Sequence, residues 1–413
     1  MDFPIEAVRA RFPALHRTDD GRPRAYFDAP GGTQVCSDAL AAMTEHLAGG
    51  TANAGGAFAT SVATDAMSRE AHRAAADLLN AAPEEIAFGP NMTTLTLSVS
   101  RALARGWTTS DELILTRLDH DANVAPWLAV AADRGMTVRW LDFDPSTGRL
   151  CLDQLPRLLS NRTRLVAVGG ASNALGTVND LPGIVAAVRG GSDALVFVDA
   201  VQLAPHHAID VAAIGCDLLA CSPYKFFGPH LGILWCRTGL LDRIEAYKVR
   251  PAANGGAIRF ETGTPSFEAQ AGFTATINYL AWLGEQVSSA ASTRRGRILA
   301  ALERATAYEE SLGERLLAGL ARLNGVRLFG PPTMAGRVPT FAFTVAGHSP
   351  ADVAGHLAEH GVFAWSGHFY AVEAIARLGV AETGGLVRVG LCHYNTADEV
   401  DRFLTALELL VAR

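Results

Sequence analysis

Apolar residues in the first 240 positions come in short, almost unbroken runs. These are ELILT (112–116), TVRWLDF (137–143), RLVAVGG (164–170), ALVFVDA (194–200), CDLLACS (216–222) and GILWCR (232–237). Runs of that length, rich in β-branched residues, predict strands. Between several of them NVAPWLAVAADRG, LDQLPRLLS, LPGIVAAVRGG and VAAIG have helical spacing. Strands apolar on both faces must be covered on both, so the pattern predicts an α/β fold with a mostly parallel sheet between helices. Ligands of such sheets bind beyond the carboxyl ends of the strands. After about residue 265 the pattern changes to long alanine-, glutamate- and arginine-rich helical stretches. VRLFG, TFAFTV, VFAWSG and LVRVGLCHY then alternate with helical pieces, which predicts a smaller α+β domain. The expected division is an N-terminal segment (1–25) packing with the small domain, a large domain (26–265), and linking helices with the small C-terminal domain (266–413).

Composition narrows the function classes. A chain of 413 residues is long enough for two domains. Hydrophobic residues at 49% and charged residues at 19% describe an ordinary buried core. The net charge of −7 supplies no basic footprint, so nucleic acid is not an expected partner. The start, MDFPIEAVRARFPAL, lacks the apolar stretch of a secretory signal. No apolar run approaches the roughly 18 residues of a membrane span, so no membrane association is expected. Cysteines 36, 151, 216, 221, 236 and 392 form no CxxC pair, which suits reduced thiols in the cytoplasm. Without HExxH or a cysteine/histidine cluster, no metal site is expected. The absence of GxGxxG after a strand and of GxxxxGK[ST] argues against a nicotinamide dehydrogenase and a P-loop enzyme.

The strand ends carry the candidate chemistry. DHDANVAPW places His120, Asp121 and Asn123 after the first run, and GGASNALGTVNDL places Ser172 and Asn173 after the third. VFVDAVQ places Asp199 and Gln202 after the fourth, and CSPYKFFGP places Ser222, Tyr224 and Lys225 after the fifth. Upstream, FGPNMTTLTLSVSRAL reads as a turn opening a helix, whose N-terminus suits a phosphate. Each feature has a structural alternative: a satisfied loop histidine, a helix-capping aspartate, or a lysine keeping its head in water. Together they match what pyridoxal phosphate requires. That cofactor needs a lysine for a Schiff base, an aspartate at its pyridine nitrogen, a phosphate cradle and partners for its phenolic oxygen. Lys225, set among aromatics, would be held as a neutral amine by desolvation.

The order AYFDAPGGTQV, SNALG, VDAVQ, SPYKFFGP, ETGTPS and VRVGLCHYNT resembles fold-type I pyridoxal-phosphate enzymes of the class V aminotransferase group, within them the cysteine desulfurase branch. The resemblance implies Lys225 as the Schiff-base lysine, Asp199 at the pyridine nitrogen, and Gln202 and Asn173 at the phenolic oxygen. It implies His120 stacked on the ring, and Thr93, Ser222 and the Met92 backbone at the phosphate, with Tyr224 where a histidine is usual. Gly263 and Thr264 would reach the phosphate of a neighbouring subunit, which implies a homodimer with sites at the interface. Arg388 would hold the α-carboxylate of an amino-acid substrate.

One segment departs from that branch. Desulfurases of this kind carry a loop reading roughly Arg-x-Gly-His-His-Cys, whose cysteine takes the sulfur. The matching stretch is AWSGHFYA: Gly367 and His368 fit, but Trp365 replaces the arginine and Tyr370 the cysteine. A phenol forms no persulfide. The expected reaction is therefore α,β-elimination of the C–S lyase type on cysteine or a cysteine conjugate, with His368 or Tyr370 orienting the leaving group. Trp365, Phe369 and Tyr370 would line a pocket for a bulkier conjugate. The alternative is a cysteine desulfurase with another acceptor, or aminotransferase-type chemistry.

Overall fold

A computed structural model describes residues 3–412. The predicted strands are all formed, and one more joins them. In chain order the strands of the main sheet are β1 (Ile86–Gly89), β2 (Glu112–Thr116), β3 (Thr137–Leu141), β4 (Thr163–Gly169), β5 (Leu195–Asp199), β6 (Leu218–Cys221) and β7 (Gly232–Cys236). Their order across the seven-stranded sheet is β1-β7-β6-β5-β4-β2-β3. Only β7 runs antiparallel to its neighbours.

The unbroken apolar runs follow from having a core on each face. Ile114, Val166, Val168, Val196 and Val198 pack in one cluster, while Leu113, Leu115, Leu165, Ala167 and Phe197 pack in a second on the opposite side. Burying each Val, Leu or Phe side chain contributes about 1.5–3 kcal/mol, so neither face of these strands can turn to water cheaply. At the amino end of the strands Asp217 is almost wholly buried and accepts from Arg189 (2.6 Å), Arg237 (2.5 Å) and the Val196 N–H (2.8 Å). Glu112, equally buried, pairs with Arg139 at 2.8 Å and Arg162 at 2.5 Å. The amino edge is thus tied by ion pairs, and the carboxyl edge is left for chemistry.

Two long helices, Phe267–Val287 and Arg294–Leu320, follow the main sheet. A second, antiparallel sheet contains β8 (Val326–Phe329), β9 (Thr340–Val345), β10 (Trp365–Gly367) and β11 (Leu386–Gly390), in the order β8-β9-β11-β10. Its core joins Phe341, Phe343, Val387 and Val389 to Leu312, Leu316 and Phe403 of flanking helices. The N-terminal region touches this part of the chain. Arg9 donates to the Tyr394 carbonyl (2.6 Å) and to Glu399 (3.0 Å), and Ala25–Tyr26 pairs in parallel with Val362–Phe363. Among the described residues no helix is long and apolar enough to cross a membrane.

Candidate active site

The carboxyl ends of β1, β2, β4, β5 and β6 converge on one cavity. Met92, Thr93, His120, Asn173, Asp199, Gln202, Ser222, Tyr224 and Lys225 all line it. Residues from five separate stretches of sequence are therefore neighbours, for the single reason that each follows a strand of the same sheet.

Lys225 lies in a one-turn helix, Pro223–Lys225, after β6 and is 9% exposed. Its Nζ donates to the carbonyls of Pro30 (2.6 Å) and Gly31 (3.0 Å). Burial, then repulsion from Arg388, lowers its pKa to about 7 against the opposing pull of Asp199 and Asp28. It is one of two lysines in the chain; the other, Lys248, lies far along and donates to the Ala252 carbonyl. The turn after Lys225 is clamped, since Thr33 Oγ1 accepts from the Phe227 N–H at 2.7 Å. Phe227 there adopts a left-handed backbone at φ 74°, which a side chain with a Cβ disfavours.

The carboxylates are sequestered. Asp199 accepts from the Val201 N–H (2.9 Å), and burial raises its pKa to about 6. Asp119, which sequence reasoning missed, lines the same cavity and accepts from Thr116 Oγ1 (2.7 Å), the Gly169 N–H (3.0 Å) and Asn123 Nδ2 (2.8 Å). Burial, with Asp199 adding repulsion, raises it to about 7. Asp28 was also missed; its Oδ1 is buried without a partner, and burial raises it to about 6 against the fields of Arg388 and Lys225. Only its position beside the APGGTQV segment signalled it. His120 accepts the Ala122 N–H at Nδ1 (2.9 Å), so a neutral ring carries its proton on Nε2. Burial, then Lys225 and Arg388, lowers its pKa to about 3, which keeps it neutral.

The helix opening the phosphate candidate spans Met92–Leu103 and is capped by Asn91, whose Oδ1 accepts from the Thr94 N–H at 2.8 Å. The Met92 N–H donates to Ser222 Oγ at 3.0 Å, and Thr93 is exposed at the helix N-terminus. Gln202 Nε2 donates to Thr340 Oγ1 (3.1 Å), and Asn173 Nδ2 to the Phe369 carbonyl (2.8 Å). Each amide keeps a second N–H, and Asn173 Oδ1 is buried with no partner. A helix N-terminus with hydroxyls, a buried acid, two spare amide donors and a buried amine is a donor set that fits pyridoxal phosphate.

Arg388, on β11, is 4% exposed and donates from Nη1 to the Asn173 carbonyl at 2.9 Å. Its Nε has no partner, and the Phe369 ring lies 4.4 Å from its guanidinium carbon. The segment from Trp365 to Tyr370 folds over this side of the cavity. Phe369 and Tyr370 are both left-handed, at φ 54° and 57°, a strain of order 1–3 kcal/mol each. The Asp121 N–H donates to the Tyr370 carbonyl (2.6 Å), and the Tyr370 ring stacks on His120 at 5.5 Å and 24°. His368 is exposed, and its Nδ1 accepts the Tyr370 N–H at 3.0 Å. Gly263 and Thr264 are not brought to the cavity. They are exposed and line a separate cleft with His72 and Glu261, whose side chains meet at 2.8 Å. Among the described residues no cluster of three His, Cys, Asp or Glu is placed to hold a metal.

The family model "Aminotransferase class-V" matches residues 25–403. An aminotransferase-like protein of Gibberella zeae is 33% identical over 419 residues, covering 99% of both chains. A protein of Salmonella agona named cysteine desulfurase is 31% identical over 432 residues, covering 98% of each. The apo cysteine desulfurase of Thermococcus onnurineus NA1 superimposes with a TM-score of 0.88 at 27% identity, covering 100% of this chain and 99% of that one.

Proposed function

From the premise that this chain belongs to the class V aminotransferase family and is a pyridoxal-phosphate-dependent enzyme of the cysteine desulfurase-like kind, we propose that it eliminates the β-substituent of cysteine or a cysteine conjugate. The observation that carries the reading is the residue at the desulfurase loop position. Tyr370 stands there, stacked on His120, and none of the six cysteines lines the cavity. A thiol acceptor is needed for sulfur transfer and not for elimination. The balanced reaction takes a cysteine S-conjugate and water to a thiol, pyruvate and ammonia.

Bound pyridoxal phosphate supplies an aldehyde for the lysine and an electron sink for the substrate α-carbon. Asp199 would pair with the ring nitrogen of the bound cofactor, whose positive charge would keep the carboxylate ionised. Asn173 and Gln202 offer their spare N–H groups to a phenolic oxygen, and Met92, Thr93, Ser222 and Tyr224 offer N–H and hydroxyl donors to a phosphate. Arg388 holds the substrate carboxylate through its unpaired Nε, with the Phe369 ring keeping the guanidinium in place. Lys225, with a pKa near 7, is a base matched to neutral pH and removes the α-proton. His120 presents a neutral Nε2–H to the substrate side. Tyr370 or His368 then orients the leaving sulfur.

The same reading takes the chain as a cytoplasmic homodimer in which Gly263 and Thr264 serve the partner's phosphate site. Exposed Val249 and Ile258 line the same cleft as that pair, which suits a covered face. It also keeps the division into segments 1–25, 26–265 and 266–413. The second reading, desulfuration onto an external acceptor, is favoured by the relatives named cysteine desulfurase. The deciding experiment mixes purified holoenzyme with L-cysteine and with an S-alkyl-cysteine. Pyruvate with ammonia supports elimination; alanine with persulfide sulfur overturns it.

A further inference from the structure

The rim of the cavity is aromatic, and its register explains why. Trp365 is the direct partner of Arg388 across the antiparallel pair of β10 and β11. Opposed residues of such a pair project from the same face, so the indole flanks the guanidinium. The other edge of the indole meets the loop that holds the lysine. A Cβ on Gly31 would lie 2.5 Å from Trp365 Nε1, and the Gly31 carbonyl accepts from Lys225 Nζ. Trp365 therefore borders both the carboxylate-binding group and the reactive amine, yet it is 54% exposed. Tyr370 is 65% exposed on His120, and Tyr224 lines the cavity with His230 stacked behind it at 4.9 Å and 18°.

Charge at the rim is already committed. Glu373 pairs with Arg117, and Asp28 lies in the fields of Arg388 and Lys225. Among the described residues Lys225 is the one Lys or Arg on the strand-end wall of the cavity, Arg388 is committed to the α-carboxylate, and Arg117 to Glu373. A substrate side chain leaving the α-carbon next to Arg388 then meets an indole and a phenol ring, and the rim cation Arg117 is already paired with Glu373.

We infer that Trp365 and Tyr370 select an amino acid whose β-substituent carries a flat aromatic ring, stacked on the indole while Arg388 holds the α-carboxylate. This deepens the proposed reading of the site and rests on it for the binding pose, not for the bond that breaks. The test titrates the holoenzyme with L-phenylalanine, L-alanine and L-aspartate, following the visible absorbance of the bound cofactor. None of the three carries a sulfur leaving group. L-Phenylalanine is expected to bind about tenfold tighter than L-alanine, and L-aspartate no tighter than L-alanine. Trp365→Ala is expected to lower the phenylalanine-to-alanine ratio to about twofold or less. Trp365→Leu, which keeps apolar bulk without a flat face, is expected to do nearly the same. Equal binding of phenylalanine and alanine by the wild type, tighter binding of aspartate, or an unchanged ratio in both variants overturns the inference. A phenylalanine preference without pyruvate release from S-phenyl-cysteine would refute elimination and leave this selectivity standing.

Discussion

Lys225 should titrate near pH 7 in the protein stripped of cofactor, and Arg388 should be part of the reason. An ordinary lysine titrates at 10.5, and burial followed by repulsion from Arg388 brings Lys225 to about 7. At pH 7 about half of the side chains are then neutral amine, against roughly 3 in 10,000 for an unperturbed lysine. The Pro30 and Gly31 carbonyls do not reverse this, because a neutral amine keeps two N–H groups and can donate to both. With two lysines in the chain, [ε-13C]lysine labelling gives two carbon signals, and a Lys225→Arg variant assigns them. The Lys225 signal is expected to move with a midpoint near pH 7. Replacing Arg388 by methionine removes the like charge and should raise the midpoint. Replacing Asp199 or Asp28 by asparagine removes an opposite charge and should lower it. A wild-type midpoint above pH 9, or one indifferent to Arg388→Met, refutes the reasoning.

The same group sets a stability window. The unfolded chain holds the Lys225 proton to about 10.5 and the folded chain releases it near 7, so between them the unfolded state binds more protons and stability rises with pH. Asp28 and Asp199, raised to about 6, and Asp119, raised to about 7, work the other way at lower pH. The buried thiols, raised from an ordinary 9.0, begin to oppose as the pH comes within about a unit of that value. Between pH 7.5 and 8.5 the change in urea-unfolding stability of the stripped protein should therefore be about 1 kcal/mol more favourable than the change in Lys225→Met, in which the same carboxylates and thiols titrate without the lysine.

Further outcomes follow from single contacts. Asp217→Ala leaves Arg189 and Arg237 without their buried partner and should cost about 3 kcal/mol in urea unfolding, more than surface pairs do. Gly390→Ala would drive a Cβ into Pro30, whose carbonyl takes Lys225, and should cost about 2 kcal/mol while weakening cofactor capture measured by absorbance. Iodoacetamide should leave turnover unchanged, because five cysteines are buried and Cys151, half-buried, lies outside the cavity; inhibition by alkylation would return the chain to thiol-based sulfur transfer.

The strands were legible because each is apolar on both faces, and a core on each side of the sheet demands that. β1 was not, since Ile86–Gly89 is four residues long and runs straight into the capped helix. The reversed direction of β7 was also unread. Its cause is the short connection from Cys221 to Gly232, which carries one turn of helix and no crossover long enough to return a parallel strand. Polar residues at strand ends were legible as a site because sheet topology alone gathers them. Asp119 was hidden, since next to His120 it reads as a loop acid; its burial depends on Gly169, 50 positions on. Trp365 beside Arg388 depends on a strand register that no local pattern fixes.

The backbone around position 370 also bears on what the side chain there can do. The backbone at 369–370 is held left-handed by contacts that do not involve the side chain at 370: the Asn173 amide donates to the Phe369 carbonyl and the Asp121 N–H to the Tyr370 carbonyl. Whatever residue stands at 370 is delivered to the His120 side of the cavity. With a phenol there, sulfur cannot be stored, and no other thiol is poised to take its place. Cys221 precedes Ser222 but is fully buried, and burial pushes its thiol far above neutral pH. On the proposed reading, the chemistry open at sulfur then ends with departure of the β-substituent or with an acceptor brought from outside, and Tyr370 is the residue that would make those the two choices.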